Sequence, residues 1–402
     1  MPVPRSMLPA LLAALLLVPS LGLAQVLFQY GEPYMTVTDP GQATLVAGPK
    51  KGAPTLAAGN KVFLHSAADG WAVVELDEPD ALPASTHRYR LPFAALTGQP
   101  GKTFTERPAW APAPGDPALA ERDVAGYEDD SWIMVREGAA KPRRIAKGGN
   151  PAVSPDASLL AYAPDAGGGI IVVDLTGKAK PRHIATKPVD VREIHFAPDS
   201  RRLAWRVDAG TEQERRDRIE SLDLAAPDAK PAVLATGLTA DVSFQGFGRD
   251  GKSLLVFAYD GDNSQLRRLG LDGKILGQQA VSTFTDAILA SSADRYLPSP
   301  ANDTLLLAGT GVRPTPAMTP WLSDTGSALF LGELGSGTNY RLTPRQLVAF
   351  FPAWTPDGQR IYFMGLKGSP AYGTPHLYRM NADGTGLTDL GKGSVPSVGT
   401  RP

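Results

Sequence analysis

One short pattern returns at intervals along this chain: an apolar run, a tight turn built on aspartate, and a second apolar run. It is fullest at Phe351-Pro-Ala-Trp-Thr-Pro-Asp-Gly358, which leads into Ile361–Met364 and then Leu377–Met380, with a second turn at Asp383-Gly384. Pro-Asp-Gly and Asp-Gly supply the backbone angles that close turns between adjacent strands. Upstream, Val153-Ser-Pro-Asp156 precedes Leu159–Tyr162, Phe196-Ala-Pro-Asp199 precedes Leu203–Trp205, and Phe247-Gly-Arg-Asp250 precedes Leu254–Phe257. Asn302-Asp303 before Leu305–Leu307 is a fainter copy. With Asp156, Asp199, Asp250, Asp303 and Asp357 as markers, the steps are 43, 51, 53 and 54 residues. A repeat of that length holding about four short strands predicts a β-propeller, because a lone four-stranded sheet cannot bury both faces and must stack on its neighbours.

The repeats begin part-way through a unit. Trp132–Val135 and Arg143–Ile145 read as third and fourth strands with no innermost strand ahead of them. Ser394–Val398, after the last full unit, lines up with Asn150–Val153 and Phe351–Trp354. A C-terminal strand completing the first blade closes the ring and removes free edges. With this closing blade and units at 149–187, 188–237, 238–285, 286–343 and 344–390, the count is six blades. The expected class is therefore all-β: a six-bladed propeller over 120–402, preceded by a small β-barrel domain at 25–97. The Pro-, Gly- and Ala-rich stretch 98–119 reads as a linker.

Charge and composition exclude several functions. Lys and Arg number 40 against 41 Asp and Glu, so no basic footprint for nucleic acid or anionic lipid is visible. There is no cysteine, hence no disulfide framework and no lipid-anchored cysteine. Residues 1–24 read as an export signal, with Arg5, the apolar run Leu8–Val18 and the small-residue site Gly22-Leu-Ala24. That run is too short to anchor the chain across a bilayer, so a mature chain starting near Gln25 is expected.

Within 26–97, strand-like runs at Ala43–Val46, Lys61–His65, Trp71–Leu76 and Tyr89–Leu91 are punctuated by Gly48-Pro49, Gly59-Asn60 and Asp69-Gly70. With Ala47–Pro49, Gly59–Val62, Asp69–Val74 and Tyr89–Leu96 in this order, the segment resembles a bacterial Src-homology-3-type barrel. Asp77–His87 is an insertion in that pattern, and Trp71 would be a core residue. Residues 120–400, with Pro-x-Trp-x-Pro-Asp-Gly and Met-Asn-Ala-Asp-Gly elements, resemble the TolB-type propeller, a relative of the WD-type repeats. The resemblance implies a bacterial periplasmic protein. TolB belongs to the Tol-Pal envelope system and carries a mixed α/β domain where this chain has the small barrel.

Several features bear on chemistry. No Gly-x-Ser-x-Gly elbow exists, which an α/β-hydrolase domain behind such a propeller would need. The five histidines, His65, His87, His183, His195 and His376, are scattered without zinc-ligand spacing, and no metal or other cofactor is expected. Asp260-Gly-Asp-Asn-Ser264 alternates oxygen side chains as calcium loops do, but Leu271 stands where the bidentate glutamate belongs, so a turn is expected. Glu212–Arg218 reads as a solvated loop, and the Asp-Gly pairs as turns. What remains is the propeller channel. Aligning the innermost strands puts Asn150, Glu193, Phe244, Tyr296, Phe351 and Val395 in one column, three positions before Trp354. The first five are the candidate binding residues; the competing reading is packing between blades. The column offers Glu193 and Tyr296 but no basic residue. No catalytic residue is therefore assigned, and the expected function is an exported scaffold that binds a protein, peptide or cell-wall component. The alternative is a periplasmic lyase or hydrolase acting on a glycan or peptide in the channel.

Overall fold

The computed structural model describes residues 34–48, 50–68, 70–76, 87–97, 117–186, 190–208, 210–211, 214–215, 217–226, 229–238, 242–260, 263–281, 295–312, 326–333, 339–343, 347–366 and 374–402. The expected export signal, the interior of the insertion at 77–86, and linker residues 98–116 lie outside them. Pro117–Arg122 forms a 3-10 turn at the head of the propeller.

The N-terminal unit is one antiparallel sheet of six strands. Across the sheet the order is Thr44–Ala47, Arg88–Pro92, Trp71–Leu76, Lys61–Ala68, Tyr34–Val37 and Leu96–Thr97. Alternation drives it: Ala72 and Val74 point inward with Leu91, Val62, Met35 and Leu56 around a single core. Trp71 does not join that core. It is half-buried at the start of its strand, with the Arg90 guanidinium 4.5 Å above its ring. The position is first in the strand and points to the face opposite Ala72, which is why the core cannot take it.

The second unit is the propeller. Blade 1 consists of Ser394–Thr400, Asp123–Asp129, Trp132–Glu137 and the first part of Arg143–Val153. The rest of that long strand is the innermost strand of blade 2, beside Leu159–Pro164, Gly169–Asp174 and Arg182–Ala185. Blade 3 is Asp190–Phe196, Arg202–Asp208, Asp217–Asp223 and Ala232–Leu238. Blade 4 is Val242–Phe247, Ser253–Ala258, Gln265–Gly270 and Ile275–Ala280. Blade 5 is Arg295–Pro298, Thr304–Val312, Gly326–Glu333 and Asn339–Arg341, and blade 6 is Val348–Trp354, Arg360–Leu366, Pro375–Asn381 and Thr388–Lys392. The innermost strands touch one another in a closed cycle. Second strands are enclosed by both neighbouring blades, as at Ser253–Ala258, where every residue is buried; the outermost strand Ile275–Ala280 is almost wholly exposed.

Each repeat turn uses the same bonds. Ser158, Arg201, Lys252 and Gln359 donate backbone N–H to the side chains of Asp156, Asp199, Asp250 and Asp357 at 2.9–3.0 Å. The residue after each aspartate is left-handed: Ala157 (φ 56°), Ser200 (61°), Gly251 (62°) and Gly358 (68°). Asp303 does not belong to this set. In blade 5 the turn runs from Ser299 to Thr304, Asn302 takes the N–H of Thr304, and the Asp303 carboxylate faces Arg249 instead. Between the second and third strands of blade 4 the Asn263 N–H donates to the Asp260 carbonyl at 2.9 Å and the Asp260 N–H to the Ser264 hydroxyl at 3.0 Å, bonds that close a turn. Part of Glu212–Arg218 forms a two-stranded ribbon, Gly210–Thr211 against Glu214–Arg215, rather than an irregular loop.

The ring is shut by the C-terminal strand, Ser394–Thr400, paired antiparallel with Asp123–Asp129. A buried polar node locks that seam. The Asp123 carboxylate accepts two bonds from Arg360 of blade 6 (2.8 and 3.0 Å), one from Tyr362 (3.0 Å) and one from Thr400 (3.1 Å). Arg360 is only 2% exposed, so this charge is stable there only because Asp123 and Asp357 compensate it.

Candidate functional site at the channel mouth

Backbone geometry divides the aligned column. In four innermost strands the column residue is left-handed: Asn150 (φ 54°), Glu193 (50°), Phe351 (48°) and Val395 (46°). At each of these the ladder to the second strand slips. These are β-bulges, which re-aim a side chain and sharpen the local twist. Non-glycine residues in this region cost on the order of 1 kcal/mol or more each. Pro151, Pro352 and Pro396 follow three of them, and a residue without an N–H loses nothing where the ladder is already broken.

Phe244 and Tyr296 behave differently, and the candidate set contracts accordingly. Tyr296 pairs in regular register with Leu307, and in blade 4 the slip falls after Phe244, with Gly246 taking the positive φ of 119°. Both side chains are 1% exposed. Phe244 meets His195 edge-on at 5.0 Å, and Tyr296 packs on Phe257 at 4.7 Å. They fill the space between blades and cannot present a surface. Asn150, Glu193 and Phe351 stay partly exposed.

Side chains near the bulges stitch each blade to the next. The Asn150 N–H donates to Glu128 of blade 1 (2.7 Å), and the Phe244 N–H donates to Glu193 of blade 3 (2.6 Å). The Tyr296 N–H donates to Gln245 of blade 4 (3.0 Å). Burial, together with the charge of Asp165, outweighs the Asn150 bond and holds the Glu128 carboxyl above its ordinary range.

Basic groups, absent from the aligned column itself, reach it from adjacent positions. Arg206, on the second strand of blade 3, lies 2.8 Å from the Glu193 carboxylate and also holds Asp217 (2.6 Å) and the Val242 carbonyl (2.7 Å). Arg295, one residue before the column in blade 5, comes within 3.8 Å of Glu193 and stacks 5.4 Å from the Phe351 ring. No alignment by column could reveal Arg206, since it comes from another strand; Arg295 is one position away. Beside them His195 faces the Phe244 carbonyl at 3.2 Å. A carbonyl only accepts, so Nε2 carries the proton. Burial, then the Arg295 charge, pushes the His195 pKa down to about 4, so the ring is neutral at ordinary pH.

The arrangement therefore binds charge internally. Glu193 is only 11% exposed on its side chain and is committed to an N–H and to Arg206. The aromatic patch is Phe351 with Phe350 at 6.4 Å and the Arg295 guanidinium on its face; Asn150, in blade 2, directs its side-chain amide to the Val191 carbonyl at 3.4 Å. An aromatic face beside a guanidinium suits a planar or apolar side chain with an acceptor nearby. Among the described residues, no group of three or more His, Asp or Glu could hold a metal ion, and no helix is long and apolar enough to cross a membrane.

The chain matches no family model and no curated protein. Solved structures do match its fold. TolB from Acinetobacter baumannii aligns over 84% of this chain and 81% of its own, at 16% identity and a TM-score of 0.50. A TolB-assigned chain from Agrobacterium tumefaciens aligns over 70% of this chain and 99% of its own, at 14% identity and a TM-score of 0.47. A puromycin-hydrolyzing peptidase from Mycobacterium tuberculosis shares 15% identity over 82% of this chain and 53% of its own, with a TM-score of 0.39. At such identities the likeness is one of fold: an all-β chain with a TolB-like propeller.

Proposed function

We propose that this protein is an exported, periplasmic scaffold of the bacterial envelope whose propeller mouth binds a protein partner. The observation that carries this reading is the division of the column. Its one charged member, Glu193, is neutralised by Arg206 from the neighbouring strand, whereas Phe351 and Asn150 are bulged out of the sheet at an energetic cost and left partly exposed. Strained, partly exposed residues on a rigid ring suit recognition. A neutral His195 beside a saturated Glu193 does not form an acid–base couple aimed at a substrate. The small barrel supplies a second face, in keeping with its resemblance to Src-homology-3-type barrels.

The test compares wild type with Phe351→Ser and Asn150→Ala in affinity capture from periplasmic extract. Loss of one specific co-eluting protein with both variants, at unchanged melting temperature, supports the mouth as the contact. Retention of that protein by both moves the contact to the barrel. The lyase or hydrolase alternative rests on the convergence of Glu193, His195 and Arg295. Turnover of peptides, glycans or cell-wall fragments by pure protein, lost with Glu193→Gln in a folded variant, would replace the scaffold reading.

A further inference from the structure

We infer that the small barrel is docked on the propeller rim where blades 5 and 6 meet, with the Glu75–Arg88 ion pair as the joint. The two units then move as one body, and only the Trp71 end of that barrel face is left for a partner. The strand period sets which side chains face the joint. Val74, Tyr89 and Leu91 enter the barrel core, so Glu75, Arg88 and Arg90 point to the opposite side of the sheet. Glu75 and Arg88 are cross-strand partners 3.2 Å apart, with side chains only 1% and 9% exposed. Arg90, two residues along on the same face, is exposed. Charges on the outer face of a small sheet stay hydrated unless another surface covers them, because burial strips their water. A cover therefore lies over one end of this face and not the other.

The propeller supplies that cover. Arg88 Nη1 donates to the Gly384 carbonyl at 3.3 Å, in the turn between the third and fourth strands of blade 6. Blade 4 carries the same turn. Gly273 and Gly384 have φ of 77° and 85°, donate their N–H to Gly270 and Asn381 at 2.9 Å, and rest on the preceding blade at Leu234 and Leu342. Yet Gly384 is buried and Gly273 is not, and Asp383 is partly buried where Asp272 is exposed. The extra covering falls where Arg88 reaches blade 6. On the blade 5 side, the barrel strand Lys61–Ala68 lies against the outer strand Asn339–Arg341. Contacts on two adjacent blades stop the barrel from pivoting about either one.

Arg88 is the point at which the joint can be broken. Its Nη2 is buried with no hydrogen-bond partner among the described residues, so the guanidinium depends on Glu75 and the Gly384 carbonyl. Removing Arg88 takes away the bond to blade 6 and leaves the Glu75 carboxylate buried without that cation. At the far end of the same face, Trp71 lies under the Arg90 guanidinium, 4.5 Å from the ring, and both remain accessible from solvent.

The chain has no cysteine, so nitroxide labels on Gln42→Cys and Thr388→Cys, both exposed positions, report the distance from barrel to blade 6 without background. In the full chain, double electron–electron resonance should give one narrow distance population. Arg88→Ala, checked by its melting curve, should broaden that population at least twofold. Arg88→Lys keeps a charge beside Glu75 but lacks the planar fork; it should broaden the population too, and serves if the alanine variant fails to fold. A broad distribution in the chain that retains Arg88 overturns the proposal. So does a distribution left equally narrow by both variants.

Discussion

Two residues concentrate the electrostatics of this fold. Arg360 sits almost fully buried between blades 6 and 1, and Asp123 supplies the compensating carboxylate to it, to Tyr362 and to Thr400. Asp123→Ala leaves a buried cation without its main partner and should cost about 3–5 kcal/mol in urea unfolding. The double change Asp123→Leu with Arg360→Met should cost distinctly less than Asp123→Ala, because no buried charge is stranded. His195 gives the second case. Its pKa is depressed to about 4 in the folded chain and is near 6.5 unfolded, so the unfolded state binds more protons between those values. The resulting stability is fully present above pH 6.5 and is lost as pH falls toward 4, by at most about 3 kcal/mol. Melting curves from pH 7 to 4 should show the loss, and His195→Gln should flatten that part of the profile.

At the scale of turns and strands, the aspartate turns test how the repeat is written. Gly251 and Gly358 occupy equivalent left-handed positions, but their surroundings differ. A Cβ on Gly251 would meet only Pro198 at 3.6 Å, whereas on Gly358 it would lie 2.7 Å from the Ala301 methyl. Gly251→Ala should therefore cost about 1 kcal/mol, the dihedral penalty alone, and Gly358→Ala clearly more, read by chemical denaturation. Ala157 and Ser200 accept the same backbone angle, which is why the pattern fades in their blades without the turn being lost. Asp156, Asp199, Asp250 and Asp357 are legible in the sequence as turns because their side chains bind the backbone locally, and local bonds leave a local signature. Asp303 misleads because Asn302 holds the turn in blade 5. The bulges are half-legible, in the prolines after Asn150, Phe351 and Val395. The burial of Phe244 and Tyr296 is not, since register at the bulge decides it and register is a property of two strands. Arg206 reaching Glu193 is likewise a contact between strands.

For the whole molecule, closure and binding are the two consequences. Deleting residues 392–402 removes the innermost strand of blade 1 together with the Thr400 bond to Asp123. It should lower the melting temperature far more than trimming a loose tail does and promote association through exposed edges. Export should yield a mature chain beginning at or near Gln25, as N-terminal sequencing of periplasmic material can establish; a soluble protein retaining Met1 speaks against it. A protein partner is expected to sit on the partly exposed aromatic patch at the channel mouth. The most direct measurement places a photo-crosslinking phenylalanine derivative at Phe351 in the protein expressed in living cells. The expected result is a discrete, light-dependent adduct with one envelope protein, absent when the same derivative replaces buried Phe244. No adduct at Phe351, with a strong one from a probe at Val46 on the small barrel, contradicts the claim.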